Sequence, residues 1–210
     1  RNYPENVKPG RFLFTKGMNS FELVQSIRLN VPVDLAFNNQ ERLEDFAGRI
    51  SSQIEADSLS LLTSIKDSIF LKENGFTDEN VLAMFIPNTY EFFWTTDPEQ
   101  FTDRMKKEYE DFWSGERDRK AKRLEMERSE IVTLASIVDE ETLYDDENIR
   151  VAGLYMNRLK KGIALQADPT LKFALGDFSR QRILNVDKKI DSPYNTYKYN
   201  GLPPGPISIP

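Results

Sequence analysis

The chain of 210 residues contains no cysteine and no histidine. These absences exclude cysteine nucleophiles, Ser-His-Asp triads, and zinc sites built from thiolates or imidazoles. Acid–base chemistry in this protein must therefore use Asp, Glu, Lys or Tyr side chains. The lack of cysteine suits the cytoplasm and the cell envelope equally, so it does not decide the compartment.

Long apolar runs and nucleotide-binding motifs are also missing. No run of about 18 apolar residues occurs, so the sequence predicts no membrane-spanning helix, and no signal peptide is visible. The formal net charge of −6 argues against a general binder of nucleic acid or of anionic membranes. Because phosphate-binding glycine motifs and Asp-rich calcium loops are absent, we predict no cofactor and no metal.

The residues that are present predict an α+β fold. The length allows one large domain or two small ones. Hydrophobic periodicity predicts strands over 10–15 and 31–37, and helices over about 20–28, 43–54, 58–73, 78–84, 98–114, 129–143, 146–161 and 168–176. Residues 85–97 are rich in aromatic residues and turn-like at Pro87-Asn88, and the charged residues 116–128 are typical of a solvated helix face or a mobile connector. The Pro-rich residues 191–210 are predicted to be either a rigid ordered loop or a disordered tail.

Glu141 is the most suggestive carboxylate, because of its place on the helix predicted over 129–143. At about 100° per residue it falls on the rim of an apolar stripe and is partly removed from water, whereas Glu140 points away and Asp139 lies on the opposite rim. Loss of hydration raises the pKa of a carboxylate, as a general acid requires. The alternative, favoured by the pattern alone, is a salt-bridged glutamate at a helix end. The residues of the stripe are Ile131, Leu134, Ala135 and Val138.

Polar and aromatic residues near the end of the chain form a candidate sugar platform. Aromatic faces stack on pyranose rings, while amides pair with hydroxyl and N-acetyl groups. Simpler interpretations stay open, since Asp168 before Pro169 is a typical helix N-cap and the alternating Tyr194, Tyr197 and Tyr199 fit a strand core. The platform candidates are Gln166, Asp168, Asn195, Thr196 and Tyr197.

Three segments together resemble a known family in their order and spacing. They are LASIVDEET (134–142), VAGLYMNRLKKGIALQADPT (151–170) and SPYNTYKYNGLPPGPISIP (192–210). They resemble the MltG, or YceG-like, endolytic murein lytic transglycosylases. Two earlier segments are similar as well: VKPGRFLF (7–14) to the second half of a LysM-like module, and FIPNTYEF (85–92) to a Pro-Asp/Asn-Thr-Tyr segment.

The resemblance implies roles for particular residues. The second glutamate of the family motif Ala-Ser-Ile-(Val/Ile)-Glu-Lys-Glu-Thr is catalytic and falls on Glu141. The first glutamate of the motif is Asp139 here, and the lysine is Glu140, which adds negative charge and should raise the pKa of Glu141 further. The predicted substrate-binding residues are Gln166, Asp168, Thr170, Tyr194, Asn195, Thr196 and Tyr197.

The implied reaction is cleavage of the β-1,4 bond between N-acetylmuramic acid and N-acetylglucosamine inside a peptidoglycan strand. Glu141 would act as general acid and then as base, leaving a 1,6-anhydro end without water. A noncatalytic peptidoglycan-binding or scaffolding protein is the alternative, and a hydrolase of the same bond is a third possibility.

The resemblance also implies domains, partners and location. It predicts a partial LysM-like module over 1–30, a small α/β subdomain over 31–84, and a mainly helical catalytic domain over 85–210 that is truncated at its C-terminus. Family members carry an N-terminal transmembrane helix that this chain lacks. We therefore expect the full-length protein to be anchored in the plasma (inner) membrane, with its catalytic part in the periplasm or outside the cell, beside peptidoglycan synthases.

Overall fold

The computed structural model describes residues 8–142, 144–180 and 182–210 and has an α+β architecture, as predicted. About half of the described chain is helical, and one two-stranded sheet is present within it. None of the helices in these ranges combines the length and apolar character needed to cross a bilayer. The strands are β1 (Val33–Phe37) and β2 (Asn88–Phe92). The helices are α1 (Ser20–Ser26), α2 (Leu43–Ser51), α3 (Ser58–Ile65), α4 (Ser68–Asn74), α5 (Pro98–Phe112), α6 (Glu116–Leu124), α7 (Arg128–Glu141), α8 (Asp145–Lys160) and α9 (Asp168–Leu175), and short 3-10 turns cover Val81–Met84 and Asp187–Lys189.

The antiparallel sheet contains one predicted strand and one that the sequence missed. β1 pairs with β2 from Val33 opposite Phe92 to Phe37 opposite Asn88. The turn predicted at Pro87-Asn88 is wrong at Asn88, where β2 begins. Pro87-Asn88 resembles a turn locally, and the partner that makes 88–92 a strand lies far away along the chain.

The strand predicted over 10–15 does not form. Its backbone contact with the next segment consists of a bond from the Val31 amide to the Arg11 carbonyl at 2.8 Å, while the Arg11 amide donates to the Asn30 side chain at 3.0 Å. This contact is too short for a ladder. α1 begins as predicted at Asn19, which forms a capping box with Glu22. Residues 1–7 lie outside the described residues, and the LysM-like module over 1–30 stays a prediction.

The helix predicted over 58–73 is two helices, α3 and α4. The chain turns at Lys66, and the Asp67 carboxylate then caps α4 by accepting from the Ile69 and Phe70 amides at 3.1 and 2.8 Å. α4 ends at Gly75 in the left-handed region, as predicted. The helix predicted over 78–84 is only a 3-10 turn, Val81–Met84.

Buried side chains form two hydrophobic clusters. The first is built on Phe46, Phe85 and Phe101, whose rings contact one another at the core of the sheet and helices α2, α3 and α5. The second joins α7, α8 and α9. Neither cluster settles where a domain begins or ends, so the boundaries near residues 31 and 85 stay predictions.

The C-terminal segment is an ordered loop, and the alternative of a disordered tail is wrong. The Ile207 amide donates to the Ser136 hydroxyl at 3.0 Å, and the Ile209 amide donates to the Gln40 carbonyl at 2.9 Å. Ile207 belongs to the second hydrophobic cluster and Ile209 to the first. The Pro-rich segment therefore packs against both cores and lies along α7.

Candidate active site

α7 is a central helix that ends at Glu141. The predicted stripe is buried at Leu134 and Val138, but the opposite side of the helix is buried too, at Val132, Thr133, Ser136 and Ile137. The periodicity suggested a single apolar face because Thr133 and Ser136 are polar. Both hydroxyls are satisfied by carbonyls of the preceding helical turn, which allows α7 to be enclosed by α8, α9 and the C-terminal loop.

The carboxylate of Glu141 is the centre of the site. Glu141 is exposed as a residue, which differs from the predicted half-buried position. Its Oε2 atom nevertheless accepts a hydrogen bond from the Tyr155 hydroxyl at 3.0 Å, and Tyr155 is only 3% exposed. Neighbours on α8 and α9 thus remove part of the hydration of the carboxylate while one side of the residue stays open to solvent.

The surroundings of Glu141 raise the pKa of its carboxyl group. Loss of hydration is the largest cause, and the negative charge of Asp168 adds to it. The hydrogen bond from Tyr155 and the positive charges of Lys172 and Arg158 act in the opposite direction. The direction of the predicted shift is therefore confirmed, and the balance favours a carboxyl group that holds its proton longer than a solvated glutamate does.

Glu140, which the sequence suggested would raise the pKa of Glu141, is not among the main causes of this shift. Glu140 is exposed, as predicted, and its Oε1 atom accepts from the Asn39 amide at 3.1 Å. Glu140 instead raises the pKa of Glu41, after the larger effect of burial. Asp168 on α9 is the anion that raises the pKa of Glu141, because the end of α7 directs Glu140 toward the loop after β1.

Asp168 lies at the start of α9 and faces Tyr197. Its Oδ1 atom accepts a hydrogen bond from the Tyr197 hydroxyl at 2.6 Å. The N-cap interpretation of Asp168 is wrong, since Ala167 occupies the cap position and no side chain caps the helix. Burial and the bond to Asp168 raise the pKa of Tyr197 to about 12, so this hydroxyl remains a donor at neutral pH.

Hydrogen bonds join the backbone before α9 to the C-terminal loop, and buried hydroxyl groups form some of them. The Gln166 amide donates to the Thr196 carbonyl at 3.0 Å, and the Ala167 amide donates to Thr196 Oγ1 at 3.1 Å. The hydroxyls of Thr170 and Thr196 lie 2.8 Å apart. Gln166 itself has a φ of +56°, an uncommon conformation for a residue other than glycine, and its side chain is exposed.

We expect Thr196→Val to destabilise the protein by about 1–3 kcal/mol, because the Ala167 amide would lose its buried acceptor. Urea unfolding measures the change. Thr63→Val is a matched control, since the Thr63 hydroxyl bonds the Leu59 carbonyl on an exposed helix face and its loss should cost much less. Equal unfolding midpoints for the two variants would contradict this account of the loop.

Asn195 organises the loop from inside. It is fully buried, and its side-chain amide donates to the carbonyls of Lys188 and Ile190 at 3.0 and 2.8 Å. Its Oδ1 atom accepts from the amides of Tyr197 and Lys198. These bonds form turns, so the strand-core interpretation of the alternating tyrosines is wrong.

The predicted site residues therefore divide into two groups. Glu141, Gln166, Asp168 and Tyr197 are at least partly open to solvent, and Asp168 and Tyr197 lie close enough to Glu141 for their charges to interact with it. Tyr194 is half-buried, with its ring 4.5 Å from that of Phe173. Thr170, Asn195 and Thr196 are buried with partners inside the protein, and substrate contact by any of these residues stays a prediction.

Three neighbours of Glu141 were missed by sequence reasoning: Tyr155, Arg158 and Lys172. The helical spacing of residues 146–161 predicts that Ile149 faces inward, but Ile149 is 82% exposed. Tyr155 occupies the inward position instead. Helical spacing could have indicated it, because Tyr155 lies four residues after Val151 and four before Leu159, and both pack against the second cluster. A cavity of about 680 Å³ lies between α3 and α5, away from Glu141 and its neighbours.

Fold and site together define an α+β protein with a carboxyl group of raised pKa at the end of a helix, next to the partly open Tyr197. The YceG-like family model matches residues 1–210. The chain belongs to the YceG-like family.

Relatives and solved structures extend this likeness. The chain is 46% identical over 78 residues to an endolytic murein transglycosylase of Bacillus subtilis, which is 37% of this chain and 21% of that protein. It is 36% identical over 86 residues to an endolytic murein transglycosylase of Streptococcus pneumoniae serotype 2, or 39% of this chain and 16% of the relative. The matched part thus spans about a fifth of these relatives' length or less.

A crystal structure of a YceG-like protein from Listeria monocytogenes has the same fold. The two structures superpose with a TM-score of 0.75 at 28% sequence identity, and the match covers 98% of this chain and 73% of the other. The likeness therefore includes the N-terminal segment, where sequence motifs are weakest.

Proposed function

We propose that this chain is the catalytic part of an endolytic peptidoglycan lytic transglycosylase. The supporting observation is the Glu141 carboxyl group, which has a raised pKa, lies at an open surface and faces the loop that bears Tyr197. The names of the matched relatives support peptidoglycan as the substrate.

In the proposed reaction, protonated Glu141 donates its proton to the oxygen that bridges N-acetylmuramic acid and N-acetylglucosamine. The bond from C1 to that oxygen breaks while C1 takes on oxocarbenium character. The C6 hydroxyl of the muramic acid then attacks C1, and the Glu141 carboxylate accepts the proton of that hydroxyl. The products are a 1,6-anhydro end and a new free hydroxyl end, and no water is consumed.

The residues around Glu141 suit this two-step reaction because some favour the protonated form of its carboxyl group and others favour the ionised form. Partial burial and Asp168 favour the protonated form, which the first step needs. Arg158, Lys172 and the Tyr155 hydroxyl favour the carboxylate, which the second step needs. A carboxyl group between these influences can serve as acid and then as base.

The two groups of site residues take different roles in this proposal. Gln166, Asp168 and Tyr197 contact the glycan directly, since their side chains are open to solvent and those of Asp168 and Tyr197 lie near Glu141. Tyr194, Thr170, Asn195 and Thr196 contribute by fixing the loop and the start of α9 in the geometry that presents those contacts.

The proposal extends to the setting of the reaction. The protein acts in the cell envelope, held at the plasma membrane by a segment outside this chain, with its catalytic part on the periplasmic or outer side. Peptidoglycan synthases are its proposed neighbours, because they produce the strands that it would cut.

We expect the protein to release products from uncrosslinked glycan strands that end in 1,6-anhydro-N-acetylmuramic acid. Mass spectrometry distinguishes these from hydrolysis products, which are heavier by one water. Hydrolysis products would contradict the transglycosylase reaction. Binding to purified sacculi without cleavage would instead support the noncatalytic alternative, for which the exposed apolar residues of α1, such as Phe21 at 71% exposure, offer a surface.

A further inference from the structure

Tyr155 is buried in the second hydrophobic cluster, yet its hydroxyl group reaches the candidate active site. Its side chain is packed among residues of α7 and α8 and is 3% exposed. The hydroxyl donates to Glu141 Oε2 at 3.0 Å. A buried tyrosine usually pairs its hydroxyl with a partner, and here that partner is the carboxylate.

The ring of Tyr155 is held by packing, so its hydroxyl group cannot easily follow a movement of Glu141. α8, which carries the ring, contacts α7, which carries Glu141. Rotation of the Glu141 side chain would break the hydrogen bond and leave a nearly buried hydroxyl without a partner, which is costly. The bond therefore restrains Oε2 and leaves the other carboxyl oxygen, Oε1, outside this hydrogen bond.

The charged and titratable groups facing Glu141 come from three elements. Tyr155 and Arg158 lie on α8, Asp168 and Lys172 lie on α9, and Tyr197 lies on the C-terminal loop. Burial, followed by the charge of Glu141, raises the pKa of Tyr155, so that its hydroxyl stays protonated over the working range and acts only as a donor.

We propose that Tyr155 is a positioning residue that holds Glu141 Oε2, so that Oε1 carries the proton exchanged with the glycan. This inference rests on the proposed function. In both steps the tyrosine proton stays on its own oxygen. Donation from Tyr155 favours the carboxylate form of Glu141, and it therefore makes the protonated form a stronger acid.

Tyr155→Phe keeps the packed ring and removes only the hydrogen bond. We expect the maximal kcat to fall roughly tenfold, because the carboxyl group becomes a weaker acid and is less well oriented. The lowering influence on the pKa of Glu141 disappears, so the pH at which kcat declines on the basic side should move upward. A purely structural role for Tyr155 would lower activity or stability without moving that limb of the pH profile.

Tyr199→Phe is the matched control. It also removes a hydrogen bond from a tyrosine to a carboxylate, at 2.6 Å to Asp191, but on an exposed part of the loop. Its pH profile should match that of the wild type. A wild-type profile for Tyr155→Phe as well would overturn the inference.

A direct titration does not depend on turnover. The carboxyl carbon of Glu141, identified by comparison with Glu141→Gln in carbon NMR, should titrate at higher pH in Tyr155→Phe than in the wild type. An unchanged titration would contradict the inference even if activity fell.

If Tyr155→Phe does not fold, the reciprocal measurement applies: in Glu141→Gln, one tyrosine should ionise at lower pH by ultraviolet difference spectroscopy, and no change would contradict the contact.

The proposed function can fail separately from this inference. If the wild type makes no anhydro product while the two titrations behave as expected, the contact between Tyr155 and Glu141 stands and the proposed reaction fails. If the wild type is active and Glu141→Gln is not, but Tyr155→Phe behaves like the wild type, only the positioning role fails.

Discussion

Glu141→Gln is expected to reduce strand cleavage by about 10²–10⁴-fold, the range that a general acid–base group contributes. Glutamine has nearly the same shape and can still accept the hydrogen bond from Tyr155, so the site should keep its geometry. The amide cannot donate a proton to a glycosidic oxygen or accept one from a hydroxyl group. Release of anhydro products from uncrosslinked strands measures the loss.

Glu140→Gln is the matched control, because Glu140 precedes Glu141 on the same helix and its side chain bonds Asn39. It should cleave at nearly the wild-type rate. A Glu141→Gln protein that still makes anhydro ends at a comparable rate would refute the role of this carboxylate.

Thermal unfolding provides the folding control for Glu141→Gln, and the sign of the expected effect follows from linkage. The folded pKa of Glu141 is raised, so the folded state binds its proton more tightly than the unfolded state. The associated stability is present at low pH and is lost as the pH rises through the folded pKa. A neutral amide avoids this loss, so Glu141→Gln should unfold at the same temperature as the wild type or slightly above it near neutral pH.

Gly205→Ala is expected to destabilise the protein by about 3 kcal/mol or more, at the upper end of the cost of overpacking. A Cβ atom at this position would lie 1.8 Å from the Glu79 carbonyl oxygen and 2.5 Å from its carbonyl carbon. These are backbone atoms of the segment before the 3-10 turn, so relief requires the loop or that segment to move. Urea unfolding measures the change.

Gly153→Ala is the contrasting substitution. Gly153 lies inside α8 with open space around its missing Cβ, so alanine should stabilise the helix by about 0.5–1 kcal/mol. The two changes are chemically identical, and we expect opposite signs. Wild-type stability in Gly205→Ala would show that the C-terminal loop packs less closely against Glu79 than the structure indicates.

Local sequence signals correctly predicted several helix ends. Asn19 caps α1 and Gly75 ends α4, because a cap acts within a few residues of its helix end. The strand over 88–92 could not be found in this way, since its partner is β1 and pairing is a tertiary effect. The strand predicted over 10–15 is wrong for a related reason. Its residues favour an extended backbone, but no strand of the described chain pairs with them.

The candidate site likewise combines residues that the sequence could indicate with residues that it could not. Periodicity placed Glu141 near an apolar face, and family resemblance singled it out among three consecutive acidic residues. Neither signal could identify Tyr155 or Asp168 as the groups that contact or polarise the carboxylate, because they come from α8 and α9 and meet α7 only in the folded protein. The buried roles of Asn195 and Thr196 also depend on loop geometry that no short motif encodes.

Ile207 packs in the second hydrophobic cluster and Ile209 in the first, and this has a consequence for the order of folding. Ile207 bonds α7 at Ser136, and Ile209 bonds the loop before α2 at Gln40, near the other end of the chain. Such distant pairings slow folding, since loop closure precedes any gain from the contact. During synthesis, neither core can close until residues 207–209 have emerged, so the surface around Glu141 should form only after the chain has been made up to that point.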